Sequence, residues 1–215
     1  MIRDLNFLSP ASLLTIQPRS PLFKGVLRVL GASAMVFVVG ALFVYVPVLG
    51  SSSPAPATCD IYAVNDHSGN DSQFVTISYP GYSASALGPV YENYDLEGLD
   101  IHPTTKIIYA SAGKDGVVDG NIYTVDANSG ALSLVGNTGF SEIVALSFRP
   151  NDHTLWGWSE DGGLIKISTI TGVATLEFSG DKNIEGLAWC NDGTLLYGSA
   201  GTSLYVYNPS VNSLV

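Results

Sequence analysis

From Cys59 to the C-terminus, short apolar segments alternate with turns rich in glycine, asparagine, aspartate and proline. Three stretches share one form, in which an apolar strand is followed by a polar turn and by a second strand that ends near an aromatic residue. They read EGLDIHPTTKIIYA (97–110), VALSFRPNDHTLWG (144–157) and EGLAWCNDGTLLYG (185–198). Apolar runs of this length, bounded by turn residues, are typical of β-hairpins.

A second two-strand segment follows each of these hairpins, at 120–136, 162–178 and 202–215, and a related copy occupies 72–88. Ile122, Leu164 and Leu204 hold matching places in the three later copies. Four short strands recurring every 41–47 residues match one blade of a β-propeller. Helical repeats would need apolar residues every 3.6 positions, which are absent. A β-sandwich can also be built from short strands but has no reason to repeat its sequence, so it stays the alternative.

The repeated segments resemble exported bacterial β-propeller proteins of the NHL/WD40-like type. The resemblance is carried by LEGLDIHP (96–103), GNIYTVDANSGALSLVGNTGF (120–140), LWGWSEDGGLIKI (155–167) and IEGLAWCNDGTLLYGSAG (184–201). It spans residues 59–215 and implies the architecture rather than an activity, since many such proteins have no assigned biochemistry. The signature dipeptides of WD40 scaffolds are missing.

The sequence therefore predicts an all-β fold, a β-propeller-like array of about four four-stranded blades forming an incomplete ring. The repeat units are 59–90, 91–139, 140–182 and 183–215. The first unit starts at the second strand of a blade, which leaves fifteen strands and no closing strand, as in a truncated propeller. Unpaired edges at CDIYAV and TSLYVYNPS favour edge-to-edge self-association. A non-functional truncated fragment is one interpretation of this pattern.

An uncharged apolar stretch covers residues 29–50 and predicts a hydrophobic helix long enough to cross a bilayer. The segment before it, 1–28, is basic, which predicts a cytoplasmic N-terminus and an extracytoplasmic 59–215. The stretch is either a transmembrane anchor or the core of a signal peptide, because Ala55-Pro56-Ala57 in the Ser/Pro/Ala linker 51–58 has the form of a cleavage site. We expect the chain to be membrane-anchored or secreted.

Acidic residues dominate the exported part, where residues 58–215 hold eighteen acidic and five basic side chains. This balance excludes a nucleic-acid-binding surface. Propeller geometry places most acids on the face formed by the loops that join blades and the loops between second and third strands. They are Asp66, Asp71, Glu92, Asp95, Glu97, Asp115, Asp119, Glu142, Glu160, Asp161, Asp181 and Glu185. The face is either a site for a protein or glycan ligand or a means of keeping the protein soluble.

Six side chains on this face are candidates for ligand contact, with Trp158 expected to be exposed: Glu97, Glu142, Trp158, Glu160, Asp161 and Glu185. The loops 65–72 and 113–121 carry closely spaced oxygens that suit Ca²⁺, through Asp66, Asp71, Asp115 and Asp119. Ordinary turn chemistry explains the same residues. No other cofactor is indicated.

No catalytic set is recognisable: there is no nucleophile elbow, no H-E-x-x-H pair and no phosphate-binding glycine loop. A metal-dependent hydrolase or lactonase of the propeller type would need acids at equivalent strand starts around one axis. Glu97 and Glu185 meet that condition, whereas Val144 breaks it. The sequence therefore favours an extracytoplasmic module that binds a ligand or a protein, with the hydrolase as the alternative.

Overall fold

The computed structural model describes residues 59–215, in which every regular element is a β-strand. The segments 1–28, 29–50 and 51–58 lie outside the described residues, and so does the predicted hydrophobic helix. Within the described part of the chain, no helix could span a membrane.

The strands form four antiparallel sheets, which we number as blades in chain order. Blade 1 comprises β1 (Cys59–Ser68), β2 (Asp71–Tyr79) and β3 (Ala84–Tyr91). Blade 2 comprises β4 (Leu96–Ile101), β5 (Ile108–Ala112), β6 (Asn121–Val125) and β7 (Leu132–Asn137). Blade 3 comprises β8 (Ile143–Phe148), β9 (Leu155–Ser159), β10 (Gly163–Ile167) and β11 (Ala174–Ser179). Blade 4 comprises β12 (Gly186–Trp189), β13 (Leu196–Ala200), β14 (Ser203–Asn208) and β15 (Ser213–Leu214).

Neighbouring strands in each sheet follow one another in the chain, as in a propeller blade. The all-β, four-bladed, propeller-like fold predicted from the repeats is confirmed, including three strands in the first blade and four in each of the others.

The hydrophobic core lies between blades. One cluster of buried side chains joins blade 1 to blade 2, a second joins blade 2 to blade 3, and a third joins blade 3 to blade 4. Among residues 59–215, no cluster joins blade 4 to blade 1. The described blades therefore stack as an open series.

Side-chain hydrogen bonds to the backbone reinforce each stack. The half-buried Asp100 carboxylate in blade 2 accepts the N–H of Phe148 in blade 3 at 2.6 Å, and Ser147 Oγ in blade 3 accepts the N–H of Trp189 in blade 4 at 3.2 Å. Asp100 and Ser147 are equivalent positions of successive inner strands. Ala188, which is exposed, takes that place in blade 4 and has no side-chain acceptor.

Glycine pairs allow the outer strands to approach one another. A β-carbon on Gly136 in β7 would lie 1.9 Å from the carbonyl oxygen of Thr171 in blade 3. Gly172 has a φ of +77° and faces Gly136 across this contact. Gly88 and Gly130 make the same kind of contact between blades 1 and 2. A larger residue at any of these positions would force the outer strands apart.

The forward face of a blade is the side that packs on the next blade in the chain. Ile122 and Leu164 lie on the forward faces of blades 2 and 3 and are 0% and 1% exposed. Leu204, at the matching position of blade 4, is 65% exposed. The same residue type at the same blade position therefore changes from core to surface where the series ends.

This contrast predicts unequal effects of the same substitution. Leu164→Ala should lower the free energy of unfolding by about 2–5 kcal/mol, because it empties a packed site between blades. Leu204→Ala should change it by less than about 0.5 kcal/mol, as is usual at an exposed position. Denaturant titration of both variants beside the unmodified chain measures the difference. Similar losses in both variants would mean that a second copy covers Leu204, as the proposed self-association requires.

Candidate functional site

A central cavity of about 360 Å³ opens between the first strands of all four blades. β1, β4, β8 and the start of β12 supply its walls. The lining residues are Tyr62, Ala63, Val64, Asp66, Leu96, Glu97, Gly98, Leu99, Val144, Ala145, Leu146, Glu185, Gly186 and Leu187. Three of these side chains are acidic and none is basic, so the cavity attracts cations.

A β-bulge determines how Glu97 meets the cavity. The register of β4 against β5 shifts between Leu96 and Leu99, so Glu97 and Gly98 fall on the bulge. A β-carbon at Gly98 would lie 2.3 Å from Ser111 Oγ, so the strand can pass this close only with glycine. Bulges of this kind re-aim a side chain. β8 has a corresponding shift between Ile143 and Ala145, and it presents Val144 at the position of Glu97.

Glu97 lies in a strongly negative environment. Burial raises the pKa of this carboxyl from 4.5 to about 7, and the charges of Asp95 and Glu142, followed by those of Glu160 and Asp115, add to the rise. The side chain is reached by solvent at the cavity rim, but protein atoms surround much of the carboxyl. Near neutral pH, Glu97 therefore changes between its neutral and charged forms, which is common at functional sites.

Lys114 lies among these acids. Its Nζ is 2.5 Å from Glu142 Oε2 and 3.8 Å from Glu160 Oε2. Burial raises the pKa of the Glu160 carboxyl, and the nearby Glu142 charge raises it further. One ammonium group cannot neutralise the four carboxylates that surround Glu97, so the cluster keeps a negative charge.

The Asp161 carboxylate makes structural hydrogen bonds although the residue is exposed. Asp161 accepts hydrogen bonds from the hydroxyls of Ser141, at 2.9 Å, and Ser159. Partial burial acts to raise the pKa of Asp161, but these hydroxyl bonds outweigh it and hold the pKa below its usual value. Its carboxylate therefore joins two loops of blade 3.

The expectation that Trp158 is exposed is wrong. The indole is 1% exposed, and its Nε1 donates at 2.9 Å to the carbonyl of Lys182, in the loop that leads from blade 3 to blade 4. Ser111 has the same position in blade 2 and donates to the Ile143 carbonyl of blade 3 at 2.6 Å. Trp158 thus makes the contact between blades that a serine makes one blade earlier, and its ring fills the core.

The residues considered for calcium do not converge on one centre. Asp66 lines the cavity, whereas Asp71 Oδ1 accepts the Asn93 N–H at 2.8 Å as a turn cap. Asp115 donates its backbone N–H to Asp95 at 3.0 Å, and the Asp119 carbonyl accepts from Asn137 at 2.7 Å. In the part of the chain that the structure describes, no group of three His, Cys, Asp or Glu residues could hold a metal ion.

Two features of the site were not identified from the sequence. One is that β1, the first strand of a three-stranded blade, forms a wall of the cavity. The sequence signal for this was that the first repeat unit lacks its inner strand. The other is the pairing of Lys114 with Glu142, which depends on how the loops of adjacent blades meet.

No protein-family model matches the chain, and no curated protein matches its sequence. Solved structures share its fold. An auxiliary nutrient binding protein from Bacteroides ovatus aligns with a TM-score of 0.52 and 11% identity over 68% of this chain and 37% of that chain. A chain of a nidogen/laminin complex aligns with a TM-score of 0.55 and 10% identity, over 74% of this chain and 60% of that chain. A protein of unknown function from Bacteroides thetaiotaomicron aligns with a TM-score of 0.50 and 14% identity, over 75% of this chain and 44% of that chain.

This chain therefore spans between about a third and three fifths of the length of those chains. At identities this low, the likeness concerns the propeller-like fold alone.

We expect the Glu97 carboxyl to titrate near pH 7 in an NMR titration of the labelled side chain. Asp95→Asn should lower this pKa, because it removes the strongest neighbouring charge, but should leave it above 4.5, because burial remains. Asparagine can still accept the Asp115 N–H and tolerates the φ of +50° at this position. Glu177→Gln on the outer strand β11 is the control and should leave Glu97 unchanged. Titration near 4.5 in the unmodified chain would contradict the described environment.

Proposed function

We propose that residues 59–215 form a binding module that captures a positively charged ligand or protein segment in the central cavity. The observation that carries this proposal is the cavity itself, with Asp66, Glu97 and Glu185 in its lining and no basic residue among them. A volume of about 360 Å³ lies in the range of known ligand pockets. The propeller-like fold, which is shared with proteins described as nutrient binding or found in a nidogen/laminin complex, is consistent with a binding role.

The arrangement of acids supports binding over catalysis. A hydrolase that used a metal at the axis would need converging ligands from several blades, and Val144 stands where such a ligand would be required. Lys114 pairs with Glu142 and Glu160, whereas Glu97 has no ion-pair partner among the described residues, so its carboxylate can attract a cation.

A tetra-arginine peptide with blocked ends tests the proposal, because its charge does not change with pH. We expect it to bind more tightly at pH 8 than at pH 6, since Glu97 becomes ionised as the pH rises through about 7. The double substitution Glu97→Gln and Glu185→Gln should weaken binding by roughly threefold to tenfold, as expected for two partly solvated ion pairs. Calorimetry on the full-length chain measures both effects.

Glu177→Gln removes one carboxylate charge from the outer strand β11, where the double substitution removes two from the cavity, and should leave the affinity unchanged. A loss of affinity in this control would mean that net charge, rather than the cavity, sets the affinity. Absence of binding at pH 8 and low salt would overturn the proposed function.

The location of the module is also part of the proposal. We infer that 59–215 is exported and is held at the membrane by the apolar segment 29–50, because all the basic residues of the N-terminal segment precede that stretch. Protease added to intact cells should digest the acidic domain. A cytoplasmic marker protein in the same cells serves as the control, and survival of both proteins would contradict this orientation.

A further inference from the structure

β1 differs from the other cavity-lining strands in its place in the repeat, since each of β1, β4, β8 and β12 pairs with a single neighbour among the described residues. It is the longest described strand, with ten residues, and within residues 59–215 it pairs only with β2. Its other edge faces the cavity, where Tyr62, Ala63 and Val64 form part of the wall. Among the residues that the structure describes, the backbone N–H and C=O groups along that edge have no strand partner.

The other three blades show what normally pairs with such an edge. By position in the repeat, β1 corresponds to β5, β9 and β13, the second strands of their blades. Each of those is paired on both sides, with an inner strand, β4, β8 or β12, lying next to the cavity. Inner strands run antiparallel to their partners and are four to six residues long.

The edge of β1 is well formed for pairing. Its register against β2 is regular from Cys59 to Asp66, and the five residues 61–65 (IYAVN) include no charge and no proline. Proteins usually protect exposed edges with charged residues, prolines, bulges or very short strands. None of these protections is present at 61–65. Tyr62 and Val64 also pack against the core shared by blades 1 and 2, which keeps the strand in place.

We propose that the module binds an extended peptide segment of a partner protein, which adds to the inner edge of β1 as an antiparallel strand of four to six residues. This assignment rests on the proposed function, because basic side chains of the segment would meet Asp66, Glu97 and Glu185 in the same cavity. Side chains two residues apart on a strand lie on one face, about 6.6 Å from one another. An alternating apolar and basic sequence therefore keeps its basic side chains on one face of the added strand.

The backbone edge decides between ligand classes. A strand edge offers donors and acceptors in a fixed alternation, which an extended peptide matches residue by residue. A sugar or a simple diamine can satisfy the carboxylates but cannot match this backbone pattern. The occupant is thus a peptide strand, with the acids selecting its charged positions.

The first experiment follows amide hydrogen exchange of β1 in the full-length chain, purified in a mild non-ionic detergent. The probe is a blocked pentapeptide of alternating valine and arginine. Its addition should slow exchange of alternate amides between Tyr62 and Asn65 by about tenfold or more, since those amides gain backbone partners. Amides of β11 are the internal control and should not change. If the alternate β1 amides are already slow without peptide and remain so, the edge is covered by the chain itself or by a second copy, and the inference is wrong.

The second experiment separates this inference from the proposed function by using N-methylated forms of the pentapeptide. Methylation of one alternate set of amides should weaken binding by about tenfold, because it removes two or three hydrogen bonds to β1. Methylation of the other set, which points away from β1, should have little effect.

If neither methylated form loses affinity while Glu97→Gln with Glu185→Gln still weakens binding, the cationic site stands and strand addition is overturned. Binding that is sensitive to methylation but indifferent to the acid substitutions supports strand addition and overturns the charge-based function. Failure of both the pentapeptide and tetra-arginine to bind overturns both.

Discussion

The contact between successive blades is the interaction on which the rest of the molecule depends. Blades 2 and 3 carry buried apolar side chains on both faces, and the neighbouring blades cover them. Here each contact combines a buried apolar cluster with a side chain that accepts a backbone N–H of the next blade, as the half-buried Asp100 does for Phe148. Burial raises the pKa of Asp100, and the N–H groups of Phe148 and Ile101 act against that rise. The carboxylate is therefore retained at a half-buried position because the next blade supplies its partner.

The same stacking creates the candidate site. Inner strands that are held side by side enclose a cavity, and the loops at their starts bring carboxylates from three blades close together. Burial, and after it the repulsion among these groups, disfavours their ionised forms and raises the pKa values of Glu97, Asp95 and Glu160. The loops tolerate this because backbone bonds such as Gly113 N–H to the Asp95 carbonyl, at 2.7 Å, fix them independently of the charges. Repulsion of this kind is a cost that proteins accept mainly at functional positions.

The sequence predicted the blades because their periodicity is local: each hairpin carries its own apolar alternation and turn residues, and comparison of repeats exposed the missing strand. It also identified Glu97 and Glu185 as equivalent positions. Trp158 was misjudged because an aromatic residue beside an acidic loop was interpreted by its neighbours in sequence. Comparison with Ser111, its counterpart one blade earlier, would have placed it between blades. The direction in which the Glu97 side chain points could not be predicted, since it depends on a bulge whose register is set by the pairing of β4 with β5.

The cavity combines two kinds of recognition that act on different parts of a ligand. An unpaired strand edge interacts with peptide backbone and is largely indifferent to side chains, so it contributes affinity without selecting a sequence. A cluster of carboxylates interacts with charge and loses strength with salt and with protonation, so it contributes selection that depends on conditions. In blades 2, 3 and 4 an inner strand lies beside the second strand and is itself an edge of its sheet. Blade 1 lacks that strand among the described residues, so the proposed peptide would take the place of an inner strand there and meet the carboxylates of the cavity.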